Sequence, residues 1–308
     1  MGAVRSRSVL IGGAIALAVA AVLGVLALTG GDDSAGRGQA PVPARSASGL
    51  ADRFDSARAW AELERQVALG PRPAGSPVLR QLAGRIRTAL PNGRFERVPG
   101  HPGLRNVVGK LPGRKPAIVV AAHYDTKDLP GFVGANDGAA GTAALIEIAR
   151  VLRGERRPPN AREIRFVLFD GEEEPPGSTD FATDALRGSK AYVKAHRRSV
   201  GTMVLLDYIA NKGLRLPREG SSDPALWARL RAAAARVGVT AVFPPRVQTS
   251  ILDDTTPFID AGIPAIDLID FSYRYSHTTR DTVDKLSLRS LDATGETTIE
   301  LLRELRAR

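Results

Sequence analysis

The chain has 308 residues, 43% of them hydrophobic, enough to bury a large core in one or two domains. It has no cysteine, which excludes disulfides, thiolate metal sites and a cysteine nucleophile. The formal charge of +10 comes from scattered arginines; with aromatics at 5% and no basic stripe interleaved with them, composition speaks against nucleic-acid binding.

Residues 1–8 form a short basic flank, with Arg5 and Arg7 ahead of an uncharged apolar run from Val9 to Thr29. A run of about 20 apolar residues suffices to cross a bilayer as a helix, and the positive flank keeps the arginines cytoplasmic. This reads as a single-pass signal anchor that carries the remainder outside the cytoplasm at the cell membrane. A cleaved signal peptide, giving a secreted protein, is the rival; its apolar core is usually shorter, about 7–15 residues. Residues 30–49 are rich in Gly, Ala, Ser and Pro without apolar periodicity and read as a disordered tether. The extracytoplasmic globular domain then spans 50–308.

Within that domain, helical spacing runs from Asp52 to Leu69, and a second helix is expected from Pro77 to Leu90. Phe95–Val98 and Asn106–Leu111 read as short strands. Apolar runs at Ile118–Ala122, Ile164–Phe169, Thr202–Leu206 and Pro264–Ile269 read as buried parallel strands. Helices are expected between and after them: from Asp137 or Gly138 through Val151, Ser189–Arg197, Pro224–Val237 and Leu288–Leu305. Strand and helix in alternation predict an α/β fold, a mostly parallel mixed sheet covered by helices on both faces.

Each of the four buried runs leads into metal-type ligands: His123 and Asp125, then Asp170-Gly-Glu-Glu-Glu174, then Asp207, and finally His277. Ligands in an open α/β sheet gather at the carboxyl ends of strands, so these four places are expected to converge. Imidazole with several carboxylates and no thiolate suits a hydrolytic zinc centre. Of four histidines, His123 and His277 fall in the set; His101 and His196 read as surface residues. Asp137 taken alone could be a plain helix N-cap. The triple Glu172-Glu173-Glu174 leaves its frame open, although Pro175 places Glu174 in a loop.

Five fragments in this order carry a resemblance: His-Tyr-Asp at 123–125, Asn-Asp-Gly-Ala-Ala-Gly at 136–141, Asp-Gly-Glu-Glu at 170–173, Leu-Leu-Asp at 205–207 and Ser-His-Thr-Thr-Arg-Asp-Thr at 276–282. From about Trp60 onward the chain resembles the zinc aminopeptidase family (metallopeptidase family 28), which also contains the animal-type glutaminyl cyclases. The resemblance implies that His123 and Asp207 hold one zinc, Glu173 and His277 a second, and that Asp137 bridges them. It implies Glu172 as general base toward an activated water and Asp125 as the partner orienting His123.

Two reactions share such a cage, both on a peptide substrate. An exopeptidase hydrolyses the N-terminal residue and is expected to use two zinc ions. A glutaminyl-peptide cyclotransferase lets the α-amine attack the γ-amide and releases ammonia, with one zinc. The long loop from Glu174 to Arg187, Phe132-Val-Gly-Ala135, Asp253-Asp254 before Pro257-Phe258, and Leu268–Phe271 resemble the cyclase branch. There Asp254 would join Glu172 and Asp207 in a proton-sharing network. Against it, cyclases generally carry Trp where Ser276 stands here, Thr255 replaces a histidine common to both branches, and Asp137–Gly141 and Asp281–Lys285 look more like peptidases. On the sequence, the exopeptidase is preferred and the cyclase is the alternative. The filled ligand positions argue against a non-catalytic ectodomain.

Overall fold

A computed structural model describes residues 52–307. The expected membrane anchor and tether lie outside these residues; among the described residues no helix is long and apolar enough to cross a membrane.

Two helices open the domain, α1 (Ser56–Val67) and α2 (Pro77–Ala89), each with a side-chain N-cap, Asp55 and Ser76. Six strands follow with helices between them: β1 (Arg94–Arg97), β2 (Arg105–Leu111), β3 (Arg114–His123), α3 (Gly141–Gly154), β4 (Arg162–Phe169), the short α4 (Phe181–Asp184) and α5 (Arg187–His196). Then come β5 (Val200–Leu206), α6 (Pro224–Arg236), the short α7 (Thr256–Asp260), β6 (Ala265–Leu268) and α8 (Leu288–Ala307). The strands lie in the order β1-β2-β4-β3-β5-β6. β3 pairs parallel with β4 and β5, and β5 with β6, while the β1–β2–β4 edge is antiparallel.

The sheet is covered on both faces, and strand alternation shows why. Ile118, Val120 and Ala122 of β3 face a core shared with α1, α2, α3, α6 and α8. Val119 and Ala121 face a smaller core with Tyr192 and Val193 of α5 and Phe258 of α7. Continuous apolar runs are what a strand buried on both sides requires.

Two sequence expectations shift. The helix expected from Asp137 or Gly138 begins at Gly141; residues Ala135–Ala140 form a wide turn broken at Asp137 and Gly138. The break has a cause: the Asp137 backbone N–H donates to Asp281 Oδ2 at 3.0 Å, drawing it out of the helical ladder. The helix α4 lies within the stretch 174–187 that reads as loop, and α7 has no counterpart in the sequence expectations; at four and five residues both are too short for a periodic signal.

Candidate metal centre

The parallel strands end at one edge, and the expected ligands meet there. His123 closes β3 and Asp207 follows β5 directly. Glu172 and Glu173 lie in the turn after β4, and His277 in the loop after β6. His123 Nε2 is 3.3 Å from Asp137 Oδ1 and 3.4 Å from Asp207 Oδ1. His277 Nε2 is 3.6 Å from Asp137 Oδ2 and 3.5 Å from Glu173 Oε1. Two triads result, His123/Asp137/Asp207 and Asp137/Glu173/His277, each with its ligand atoms within 4.8 Å of one another. Asp137 belongs to both and turns one oxygen toward each. Its side chain is therefore no helix cap.

The donor set fits zinc. Glu173 Oε1, the oxygen facing His277, is buried and lacks a hydrogen-bond partner. Burial, reinforced by the Asp137 charge, pushes Glu173 well above the usual carboxylate range. Burial likewise raises Asp207 to about 7, against the pull of His123. Burial works against a charged His123 ring, yet Asp125, Asp137 and Asp207 outweigh it and hold its pKa well above the ordinary imidazole value. A buried group of carboxylates sharing two imidazoles is short of positive charge, and a divalent cation supplies it.

The backbone around Asp137 is heavily fixed. Asp281 accepts the N–H groups of Asn136 and Asp137 and the hydroxyl of Tyr273, the last at 2.6 Å. Asn136 Oδ1 accepts the Ala210 N–H, tying the turn to the segment after β5. Gly138 sits at φ +90, and a Cβ there would stand 2.6 Å from the Asp125 carbonyl oxygen. Gly141 would place one 2.2 Å from the Leu206 carbonyl. Both glycines permit close passage over the strand ends.

The remaining expected residues separate. Glu172 is buried on the wall of a cavity of about 350 Å³ that also exposes Asp137, Asp207 and His277. It belongs to neither triad. Burial, then the charge of Glu173, raises its pKa well above the usual range. Lys127 reaches both Glu173 Oε2, at 3.4 Å, and Glu174, and it is Glu173 and not Glu174 that joins a triad. Asp125 lies 3.8 Å from His123 Nδ1, too far for a hydrogen bond. Its two oxygens instead accept the backbone N–H groups of Glu172 and Glu173, both at 3.3 Å, so it aims the acidic turn. Asp254 is fully buried, has no hydrogen-bond partner on either carboxyl oxygen, and is absent from the cavity wall. Its neighbour Asp253 lines the wall, and the charges of both aspartates add to the burial that raises the Glu172 pKa. Tyr208, whose hydroxyl donates to Asp137 Oδ2, was also missed; aromatic residues after a strand carry no metal signal in sequence.

The rest of the wall is apolar: Phe181, Ile251, Leu252, Ile269 and Phe271. Phe181 comes from the long loop after β4, Ile251 and Leu252 from the segment before α7, and Phe271 from the loop after β6. His101 is exposed, and His196 pairs with Glu96 at 2.8 Å, both outside the site.

The sequence pattern of Peptidase family M28 matches residues 106–302, well over half the chain. The chain belongs to this family. Among curated relatives, endoplasmic reticulum metallopeptidase 1 of Rattus norvegicus is 27% identical over 84% of this chain and 31% of its own length. Aminopeptidase YwaD of Bacillus subtilis (strain 168) is 29% identical over 62% of this chain and 42% of its own. The glutaminyl-peptide cyclotransferase of Drosophila melanogaster is 26% identical over 63% of both. The chain thus spans less than two thirds of the length of these relatives. Among solved structures, an Acidobacteriales bacterium glutaminyl cyclase aligns at TM-score 0.71 and 30% identity, covering 86% of this chain and 99% of that one. A Zn-dependent exopeptidase from Parabacteroides distasonis shares the fold at TM-score 0.70, with 24% identity over 81% of this chain and 97% of that one.

Proposed function

We propose that the protein is a zinc-dependent glutaminyl-peptide cyclase, converting an N-terminal glutamine to pyroglutamate with release of ammonia. One observation carries this reading. Of the segments whose sequence resembles the cyclase branch, 174–187, 253–254 and 268–271 supply Phe181, Asp253, Ile269 and Phe271 to the cavity wall, while 132–135 supplies none of it. The peptidase-like stretches 137–141 and 281–285 contribute only Asp137 to that wall. On this reading the cyclase moves ahead of the exopeptidase preferred on the sequence, because the cage is common to both reactions and the wall is where they can differ.

The chemistry follows from the wall. Zinc, when held by Asp137, Glu173 and His277, supplies Lewis acidity toward the γ-carbonyl. Glu172 takes a proton from the attacking α-amine and returns one to the departing amide nitrogen. Asp253 lines the same cavity, and burial raises its pKa, so its carboxyl gives up a proton less readily than an exposed aspartate. The new C–N bond closes the lactam as the amide C–N bond breaks, and no water is consumed. The apolar walls keep water from competing.

The exopeptidase is the second reading, favoured by the two complete triads around Asp137. One assay separates them. The protein is incubated with a Gln-initiated peptide and with leucyl and lysyl p-nitroanilides. Ammonia without loss of a residue supports the cyclase; free nitroaniline with an intact glutamine peptide overturns it. We further infer from Arg5, Arg7 and the apolar run 9–29 that the domain is anchored outside the cytoplasmic membrane. Protease treatment of intact cells tests this; a protected domain would refute it.

A further inference from the structure

Three ligand-bearing segments meet at one phenol oxygen. The buried Tyr208 hydroxyl donates to Asp137 Oδ2 at 3.0 Å and lies 2.9 Å from Ser276 Oγ. Tyr208 follows Asp207 directly, and Ser276 precedes His277 directly. Both Tyr208 and His277 sit at positive φ, +43 and +52, where a residue with a bulky side chain is strained. Such strain persists only where surrounding bonds over-determine it, and the phenol joins both strained positions.

The contacts also divide by triad. Asp137 Oδ2 is the oxygen that faces His277, while Oδ1 faces His123. The Tyr208 backbone N–H donates to Asp207 Oδ1, the oxygen facing His123. The backbone of Tyr208 therefore serves the first triad and its hydroxyl the second. Packing alone asks only for the ring, which lies 5.9 Å from that of Tyr273.

We propose that the Tyr208 hydroxyl is a positioning residue for the Asp137/Glu173/His277 metal site, aligning the bridging carboxylate with the His277 loop through Ser276. The inference rests on the metal reading of the cage and is independent of which reaction the enzyme catalyses. Ser276, which stands where cyclases generally have tryptophan, then has a use: a small hydroxyl there lets the phenol reach the loop.

The test is Tyr208→Phe, with Ser276→Ala as the second variant and His277→Ala to mark the binding step of this triad. Each full-length protein is stripped of metal, checked by circular dichroism, and titrated with zinc against a chromophoric chelator. Cobalt substitution gives a visible spectrum as an independent readout. Loss of an outer partner of a metal ligand typically costs about 10–100-fold in affinity. Tyr208→Phe is expected to weaken the His277-dependent step by that factor, shift the cobalt spectrum, and leave any His277-independent step unchanged. Ser276→Ala is expected to weaken the same step less, and the two changes together to fall short of additive. Unchanged zinc affinity in folded Tyr208→Phe, or equal weakening of both steps, overturns the proposal. Because zinc affinity is read directly, failure here is distinct from failure of the cyclase assay.

Discussion

Changing Glu172 to Gln is the most informative single perturbation. The side chain is buried, lies on the cavity wall, and belongs to neither triad, so its amide should leave the metal cage intact. Shape is nearly unchanged and only the proton-accepting oxygen is lost. A positioned general base contributes roughly 10²–10⁴-fold in rate, or about 3–5 kcal/mol of barrier. Stability should move the other way. Burial and the charges of Glu173, Asp253 and Asp254 all oppose ionisation at this position, so a neutral amide relieves repulsion. The assay pairs steady-state turnover with zinc content by atomic absorption and with thermal melting. Expected are a kcat lower by two to four orders of magnitude, zinc unchanged, and a melting temperature equal or higher. Glu173→Gln should instead lose zinc, since Glu173 Oε1 faces His277 at 3.5 Å. The reasoning is refuted if Glu172→Gln sheds zinc while Glu173→Gln keeps it.

Other outcomes follow from the same geometry. Gly138→Ala should lower the melting temperature and weaken zinc binding, because its Cβ would meet the Asp125 carbonyl oxygen at 2.6 Å in a φ +90 backbone; overpacking with strain typically costs about 1–3 kcal/mol. Metal removal should leave Asp207 with its carboxyl raised to about 7 by burial. A raised folded pKa stabilises below the unfolded value and loses that contribution as pH climbs through 7, so the metal-free protein should melt lower at pH 8 than at pH 5.5. Asp207→Asn should reduce that dependence, with Asp170, also raised to about 7 by burial, keeping part of it. Away from the site, burial and Glu296 raise Asp292 to about 6. By the same sign, Asp292→Asn should raise the melting temperature at pH 8 and leave it unchanged near pH 4. Phe271→Ala, which removes an apolar wall of the cavity, should raise KM with kcat nearly kept, as lost uniform binding does; a fall in kcat alone would contradict that role.

The alternation of apolar strands with amphipathic helices was enough to place the sheet, because strands buried on both faces must read as continuous apolar runs. His123, Asp137, Glu173, Asp207 and His277 were legible because each stands at or after such a run, where backbone direction brings strand ends together. Their division into two triads rests on distances that no spacing encodes. Tertiary structure alone decided the rest. Asp137 left the helix because Asp281, 144 residues away, takes its N–H. Asp253 and not Asp254 lines the cavity wall. Asp125 bonds the acidic turn and not the imidazole, and Tyr208 joins two loops far apart in sequence. Local periodicity reports which residues are buried; which buried polar groups touch depends on long-range packing, and that is where substrate choice and metal alignment reside.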